Sequence, residues 1–119
     1  LDSLGLRVFV VAQVPETEFD IPTAMARSEW LGHAVDLRPS VADYTLRQAF
    51  VTGLFEQAAA TRKISILDFG HSLCPDAHCI VSRGSQPIYR DNNHLTADFA
   101  RSLAIDLLPV VGEQAARSR

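Results

Sequence analysis

The sequence predicts an α/β fold, on three observations. Leu6–Val14 is an almost continuous apolar and β-branched segment, and Lys63–Phe69 is a second one. Between them, Ser40–Thr61 carries a clear helical pattern. A strand, a long helix and a second strand form a βαβ unit, in which the two strands pair in parallel.

The first strand is expected to be covered on both faces, because its apolar residues do not alternate with polar ones. Pro15 ends it, since proline has no N–H to donate to a neighbouring strand. A short helix is predicted within Thr23–Val35, with Met25, Trp30 and Leu31 facing inward.

The long helix is predicted to begin at Ser40, which forms a Ser-x-x-Asp capping pattern with Asp43. Apolar residues at a four-residue spacing predict the face that packs against the sheet. That stripe comprises Leu46, Phe50, Leu54 and Ala58, with Val51 and Phe55 beside it.

Gly70–Arg90 shows no helical or strand period and is rich in Gly, Pro, Ser and His. An irregular segment of about twenty residues inside a compact domain is usually a functional loop. A final helix is predicted over Leu95–Leu108, with Thr96 as N-cap and Pro109 as its end. Residues 110–119 are predicted to be a flexible tail. The apolar stripe of this helix is Leu95, Phe99, Leu103 and Leu107.

The composition is that of an ordinary globular protein. Of 119 residues, 47% are hydrophobic and 21% charged, which argues against disorder and against a coiled coil. The net charge is −3 and no basic cluster precedes Arg117-Ser118-Arg119, so nucleic acid is not an expected partner. Because two parallel strands are too few for a stable sheet, we expect either a homodimer or membership of a larger domain.

Asp91 and His94 form an Asp-x-x-His pair between the irregular segment and the final helix. On such a turn the carboxylate can accept the Nδ1 proton of the imidazole, which leaves Nε2 to take a proton from a serine. The same spacing also fits a simpler role, in which Asp91 caps the turn and His94 is a partly exposed side chain.

The residues around the pair extend the pattern. Tyr89 precedes it, Leu95-Thr96 follows it, and Asp68, Cys74 and Cys79 lie upstream. Together they resemble the C-terminal part of the SGNH hydrolase superfamily, and most closely the SGNH domain fused to bacterial membrane acyltransferases of the acyltransferase-3 family. The resemblance implies that residues 1–109 are the C-terminal portion of a three-layer, flavodoxin-like SGNH fold.

By this resemblance, His94 is the general base and Asp91 its orienting acid. Tyr89 is a candidate for substrate contact, and a packing role with an exposed hydroxyl is the alternative. The resemblance implies an O-acyltransferase or esterase that moves an acyl group, most simply acetyl, between an acyl donor and a bacterial surface carbohydrate. It implies no cofactor, a membrane acyltransferase domain in the parent protein, and a periplasmic or extracytoplasmic location.

The nucleophile of that family is a serine in a Gly-Asp-Ser block, and a glycine and an asparagine help to form the oxyanion hole. This sequence contains no Gly-Asp-Ser block and no asparagine before Asn92. We therefore expect the serine to lie in residues upstream of this chain, and the chain alone to be inactive.

Cys74 and Cys79 allow three states: a disulfide that closes a small ring, two free thiols, or a zinc site shared with His71 and His78. The extracytoplasmic location that the resemblance implies favours the disulfide. A zinc-binding module and a non-catalytic binding module are the alternatives to the enzyme.

Overall fold

The computed structural model describes residues 4–61 and 64–116. The chain divides into two compact units. The first comprises Leu1–Glu18 and Arg38–Ile80, and the second comprises Phe19–Leu37 and Val81–Arg119. Helices and small sheets occur together, which confirms the α/β class. The three-layer, flavodoxin-like arrangement stays a prediction.

The first unit contains the predicted parallel strand pair. Strand β1 is Val8–Val11 and strand β2 is Ile64–Leu67, and they pair in parallel. Both are shorter than the apolar segments, and Lys63 lies outside the described residues. Coverage of the first strand on both faces was a wrong prediction, because the side chains of β1 are half-buried and Val11 is 54% exposed.

Helix α1, in the second unit, is Ile21–Leu31. Asp20 caps its start by accepting the N–H of Thr23 at 3.0 Å, and Gly32 ends it in the left-handed conformation with φ 65°. The helix therefore starts two residues before the predicted Thr23, because the capping side chain is Asp20.

The predicted inward face of α1 is wrong for its last turn. Trp30 is 84% exposed and Leu31 48% exposed, whereas Ile21 at the start of the helix is fully buried. The N–H of Ile21 donates to the carbonyl of Asp91, which fixes the start of the helix within its unit. The last turn projects away from the buried residues.

Helix α2 is Val41–Thr61, in the first unit. The Ser40 hydroxyl oxygen accepts the N–H of Asp43 at 3.0 Å, and the hydroxyl donates to the Asp43 carboxylate at 2.6 Å. These two bonds confirm the predicted helix start and its capping pattern.

The predicted packing face of α2 is wrong at its first two positions. Leu46 is 78% exposed and Phe50 76% exposed. The helix is instead oriented by Tyr44, whose hydroxyl donates to the backbone carbonyl of Gln13 at 2.8 Å. A two-stranded sheet is too narrow to cover the whole apolar surface of a helix of 21 residues, so part of the stripe faces outward. The expectation that a second copy or a larger domain covers such surface stays a prediction.

The segment 70–90 contains short regular elements. Helix α3 is Gly70–Leu73, and strands β3, Ser82–Arg83, and β4, Gln86–Pro87, form an antiparallel hairpin. Gly84 supplies the positive φ of 59° that the turn requires. The prediction of no regular structure missed these elements, because two to four residues are too short to show a period.

Helix α4 is Ala97–Ala116, in the second unit. Phe99 and Leu103 are 6% and 4% exposed, which confirms them as part of the buried stripe. The Thr96 hydroxyl lies 3.4 Å from the Phe99 nitrogen, at the N-cap position that was predicted for it.

Pro109 lies inside α4, so the predicted helix end there is wrong. Residues 110–116, predicted to belong to a tail, are helical, and residues 117–119 lie outside the described part of the chain. Proline removes one helical hydrogen bond, but its fixed φ of about −65° is itself helical. A helix can therefore continue past it when residues on both sides form further bonds.

Candidate active site

Asp91, Asn92 and Asn93 form a tight turn in the second unit. The Arg90 N–H donates to the His94 carbonyl at 2.9 Å, which closes the turn. Three successive backbone pairings join the segment before the turn to the segment after it: Arg90 with His94, Tyr89 with Leu95, and Ile88 with Thr96. Asp91 and His94 are thus held at opposite ends of one short turn.

The Asp91 carboxylate uses both of its oxygens within this turn. Oδ1 accepts the backbone N–H of Asn93 at 2.9 Å and that of His94 at 2.7 Å. Oδ2 lies 2.8 Å from Nδ1 of His94. The two roles that the sequence left open for Asp91, capping the turn and orienting the histidine, are therefore both performed, one by each oxygen.

These bonds determine the charge of the Asp91 carboxyl group. The hydrogen bond from the Asn93 N–H, followed by the backbone and side-chain bonds from His94, holds the pKa of the Asp91 carboxyl well below its usual range, although partial burial opposes this. An ionised carboxylate can only accept hydrogen bonds, so in the neutral form of the ring this contact requires the proton on Nδ1 and leaves the lone pair on Nε2. The His94 side chain is 61% exposed, so the ring is accessible to a reacting group.

Two further groups contact Asp91. Arg90 Nε lies 3.6 Å from Oδ2 of Asp91, which adds a positive group beside the oxygen that contacts the imidazole. The Ile21 N–H, at the start of α1, donates to the backbone carbonyl of Asp91 at 3.3 Å. The hydrogen bonds with Thr23 lower the pKa of Asp20, whereas loss of hydration and then the charge of Asp91 oppose this in part.

The contribution of α1 was missed from the sequence. The signal was present as Asp20-Ile21-Pro22-Thr23, in which a capping Asp is followed by proline in the first turn. That pattern locates the helix start. The contact of the helix start with Asp91 could not be predicted, because Ile21 and Asp91 are far apart in the sequence.

Tyr89 is completely buried, with 0% of its surface exposed. Its neighbour Ile88 is 2% exposed. In this structure the Tyr89 side chain therefore presents no surface to a substrate. It packs in the core and so fixes the segment that leads into Asp91.

Cys74 and Cys79 form a disulfide in the first unit. The Cys79 N–H donates to the Pro39 carbonyl at 2.9 Å, beside the start of α2. With the two sulfurs bonded to each other, the zinc site that would combine them with His71 and His78 cannot form. Within residues 4–61 and 64–116, no three His, Cys, Asp or Glu side chains are grouped so that they could hold a metal ion.

Comparison with protein families matches residues 1–109 to the family described as "SGNH domain (fused to AT3 domains)". No curated protein and no solved structure matches the chain significantly. In the described part of the chain, none of the helices combines the length and the apolar character that a membrane-spanning segment needs.

Fusion to AT3 domains associates this family with acyltransferase- and esterase-type function, and with a membrane protein as parent. The match covers nearly the whole sequence and includes Asp91, His94 and both cysteines. The chain belongs to the family of SGNH domains fused to AT3 domains.

Proposed function

We propose that this chain supplies the acid–base pair of a serine-dependent O-acyltransferase or esterase that acts on a bacterial cell-surface carbohydrate, most simply by O-acetyl transfer. The observation that carries the proposal is the 2.8 Å contact between His94 Nδ1 and Asp91 Oδ2 in a turn that leaves the imidazole exposed. Membership of a family with acyltransferase- or esterase-type function supports it.

In the proposed reaction, Nε2 of His94 takes the proton of the serine hydroxyl while Oγ forms a bond to the acyl carbonyl carbon. The ester bond of the donor then breaks, and the leaving oxygen receives that proton from His94. An acceptor hydroxyl next gives its proton to Nε2 and attacks the acyl-serine, and as the bond between the acyl carbon and Oγ breaks, Oγ takes that proton back from His94. With water as acceptor, the same steps hydrolyse the ester.

Asp91 stays ionised throughout these steps. Its negative charge stabilises the imidazolium that forms in each half of the reaction, and its bond to Nδ1 keeps Nε2 as the base. The carboxylate is already held by two backbone N–H groups, so no reorganisation is needed when the histidine becomes charged.

The serine and the oxyanion donors must come from elsewhere in this proposal. The 119 residues contain no Gly-Asp-Ser block. We therefore place the nucleophile in a part of the parent domain outside these residues and expect the chain by itself to have no activity. The parallel pair of β1 and β2 would form part of a larger, flavodoxin-like sheet.

The disulfide supports an oxidising location. Structural disulfides persist in the periplasm and outside the cell but are rare in the cytosol. We place the domain on the periplasmic or extracytoplasmic side of a bacterial inner-membrane protein, next to the membrane acyltransferase domain, where surface carbohydrates are accessible.

The test is His94→Ala in the whole protein that contains this chain, assayed for hydrolysis of p-nitrophenyl acetate and for acetyl transfer to carbohydrate. Loss of the base should lower kcat by about 10⁴-fold or more. His71→Ala is the matched control, because His71 is an exposed histidine of α3 in the first unit, outside the turn of Asp91 and His94. Near-normal turnover in His94→Ala would reject the proposal.

A further inference from the structure

A cavity of about 310 Å³, the α1 groove, lies beside α1 in the second unit. One wall is the face of α1 that carries Arg27 and Leu31. The other wall is the segment that follows the helix, with Val35 and Leu37, and Phe19 adds an aromatic ring from the segment before it. All of the lining residues belong to the second unit.

Backbone bonds at the end of α1 fix the second wall. Gly32, with φ 65°, reverses the chain there. Its N–H donates to the carbonyl of Glu29, and the N–H of His33 donates to that of Ser28, both at 3.2 Å. The Ser28 hydroxyl also donates to the His33 carbonyl. Because these bonds form without a ligand, little order has to be imposed on the groove when one binds.

The open side of the groove is apolar. Phe19, Leu31 and Val35 line the groove and are also exposed, and the exposed Trp30 lies beside them. Trp30 follows Arg27 by three residues and is therefore its neighbour on the helix surface. A contiguous exposed apolar surface of this kind marks a site that meets a ligand, another protein or a membrane.

The charged groups of the groove lie at its two ends. Asp20 supplies a carboxylate at the start of α1, where it accepts the N–H of Thr23 at 3.0 Å. Arg27 lies about 10 Å further along the helix axis, close to the turn that carries His33. A guanidinium is permanently charged and can bind a phosphate group through two N–H groups. The end of the groove at Arg27 is therefore complementary to an anionic head group.

The volume indicates how much of a ligand the groove can take up. An apolar cavity of about 150 Å³ holds one benzene molecule. The α1 groove has about twice that volume, so it can take up on the order of ten carbon atoms of an alkyl chain. An alkyl chain beside an anionic head group is the chemistry of a phospholipid.

The family of the chain brings such a lipid near the groove. SGNH domains of this family are fused to AT3 domains, and the parent is a membrane protein, so a bilayer lies close to the domain. Tryptophan is favoured at the head-group level of a bilayer, because its ring is apolar and its N–H is polar. The phosphate groups lie at that same level, which matches the position of Arg27 beside Trp30.

We infer that the α1 groove binds one phospholipid of the membrane that holds the parent protein. Part of one acyl chain lies against Leu31 and Val35, the phosphate group contacts Arg27, and Trp30 lies at the head-group level. No bond of the lipid is made or broken, so the groove is a docking site and takes no part in acyl transfer. The inference holds whether or not His94 is catalytic.

Docking through this groove would also position the turn of Asp91 and His94. The Ile21 N–H, at the start of α1, donates to the carbonyl of Asp91, and Leu31 lies about 15 Å away along the helix axis. A lipid bound at the end of α1 would therefore hold the acid–base pair at a fixed distance from the membrane surface.

Photo-crosslinking of the whole protein tests the inference. The protein is reconstituted in phosphatidylcholine vesicles that contain a phosphatidylcholine with a diazirine halfway along one acyl chain. After irradiation and digestion, mass spectrometry should find lipid adducts within residues 19–37. The membrane domain of the parent is labelled in every variant and serves as the internal standard.

Two variants of the groove should lower this labelling relative to that standard. Val35→Asp should lower it by about fivefold or more, because a carboxylate in the groove excludes an acyl chain. Arg27→Gln should lower it by about threefold, because the charged hydrogen bond to the phosphate group is lost.

Leu46→Asp is the matched control, because Leu46 is an exposed apolar residue of α2 outside the groove, and it should leave the labelling of residues 19–37 unchanged. Val35 and Leu46 are both exposed, and circular dichroism checks that each variant is folded. A labelled membrane domain without adducts in residues 19–37 overturns the inference. Adducts there that neither Val35→Asp nor Arg27→Gln reduces overturn it as well.

A diazirine-bearing decanoate separates a lipid of the bilayer from a free fatty acid. If decanoate labels residues 19–37 and the phospholipid does not, the groove is a fatty-acid site and the inference fails. His94→Ala should abolish turnover and leave the lipid labelling unchanged, so failure of the catalytic proposal and failure of this inference can be told apart.

Discussion

Asp91 makes two separate bonds to the same residue: Oδ1 accepts the backbone N–H of His94 at 2.7 Å, and Oδ2 lies 2.8 Å from its Nδ1. One carboxylate therefore sets both the backbone position and the ring orientation of the histidine. The turn thus orients the imidazole through neighbouring residues, while the Ile21 N–H bonds the backbone carbonyl of Asp91.

Asp91→Asn should lower kcat of the whole protein by about 10⁴-fold with little change in KM. If the amide oxygen replaces Oδ1 in the turn, the NH₂ group faces Nδ1 and forces it to be the acceptor, so the proton moves to Nε2. Esterase kinetics with p-nitrophenyl acetate measure the effect. Asp98→Asn, at an exposed carboxylate of α4, is the control, and equal turnover in both variants would contradict the role of Asp91.

The folded protein should lose stability in acid through Asp91. Its pKa is lower in the folded state than in the unfolded chain, so its contribution is fully present above the ordinary Asp pKa of about 4 and is lost as the pH falls toward the folded value. Thermal unfolding between neutral pH and about pH 2 should show a smaller acid-induced fall of Tm in Asp91→Asn than in the wild type. An equal acid-induced fall of Tm in both proteins would show that Asp91 does not contribute to it.

Replacing both cysteines with serine should lower the free energy of unfolding by about 2 kcal/mol, the chain-entropy value for a ring this small. Urea denaturation of the non-reduced wild type and of the double variant measures the difference. Addition of a reductant should shift the wild-type midpoint and leave that of the variant unchanged. An unchanged wild-type midpoint would show that the bond does not stabilise the fold.

Tyr89→Phe distinguishes packing from substrate contact. Because Tyr89 is 0% exposed, we expect KM to stay within about twofold of the wild type, since buried groups do not touch substrate. Tyr89→Ala should instead lower the free energy of unfolding by about 3–5 kcal/mol, as for other large aromatic side chains removed from a core. A large rise in KM for Tyr89→Phe would support the substrate contact predicted from the sequence.

Removing the cap of α2 by Ser40→Ala should lower the free energy of unfolding by about 1 kcal/mol, because two hydrogen bonds of the first turn are lost. Ser72→Ala, at an exposed position in α3, is the control. Urea denaturation that finds equal stability for both variants would show that the cap contributes nothing.

Local patterns predicted those features that local chemistry decides. The cap at Ser40 and the parallel pairing of β1 with β2 follow from neighbouring residues and from the length of the connection between the strands. The Asp-x-x-His spacing likewise indicated a contact that the three-residue turn allows. The start of α1 was also marked locally, by the capping side chain of Asp20, although the predicted helix began at Thr23.

The sequence by itself determined the α/β class, the family and the pair of Asp91 and His94, because each depends on residue types at short spacing. Only the tertiary structure decided which side of α2 packs inward, how deeply Tyr89 is buried, and that Ile21 reaches Asp91. These features depend on which residues pack against a side chain, and those residues are distant from it in the sequence. The apolar stripe of α2 is the clearest example, since its spacing marks it as a packing face but cannot show whether the fold covers it.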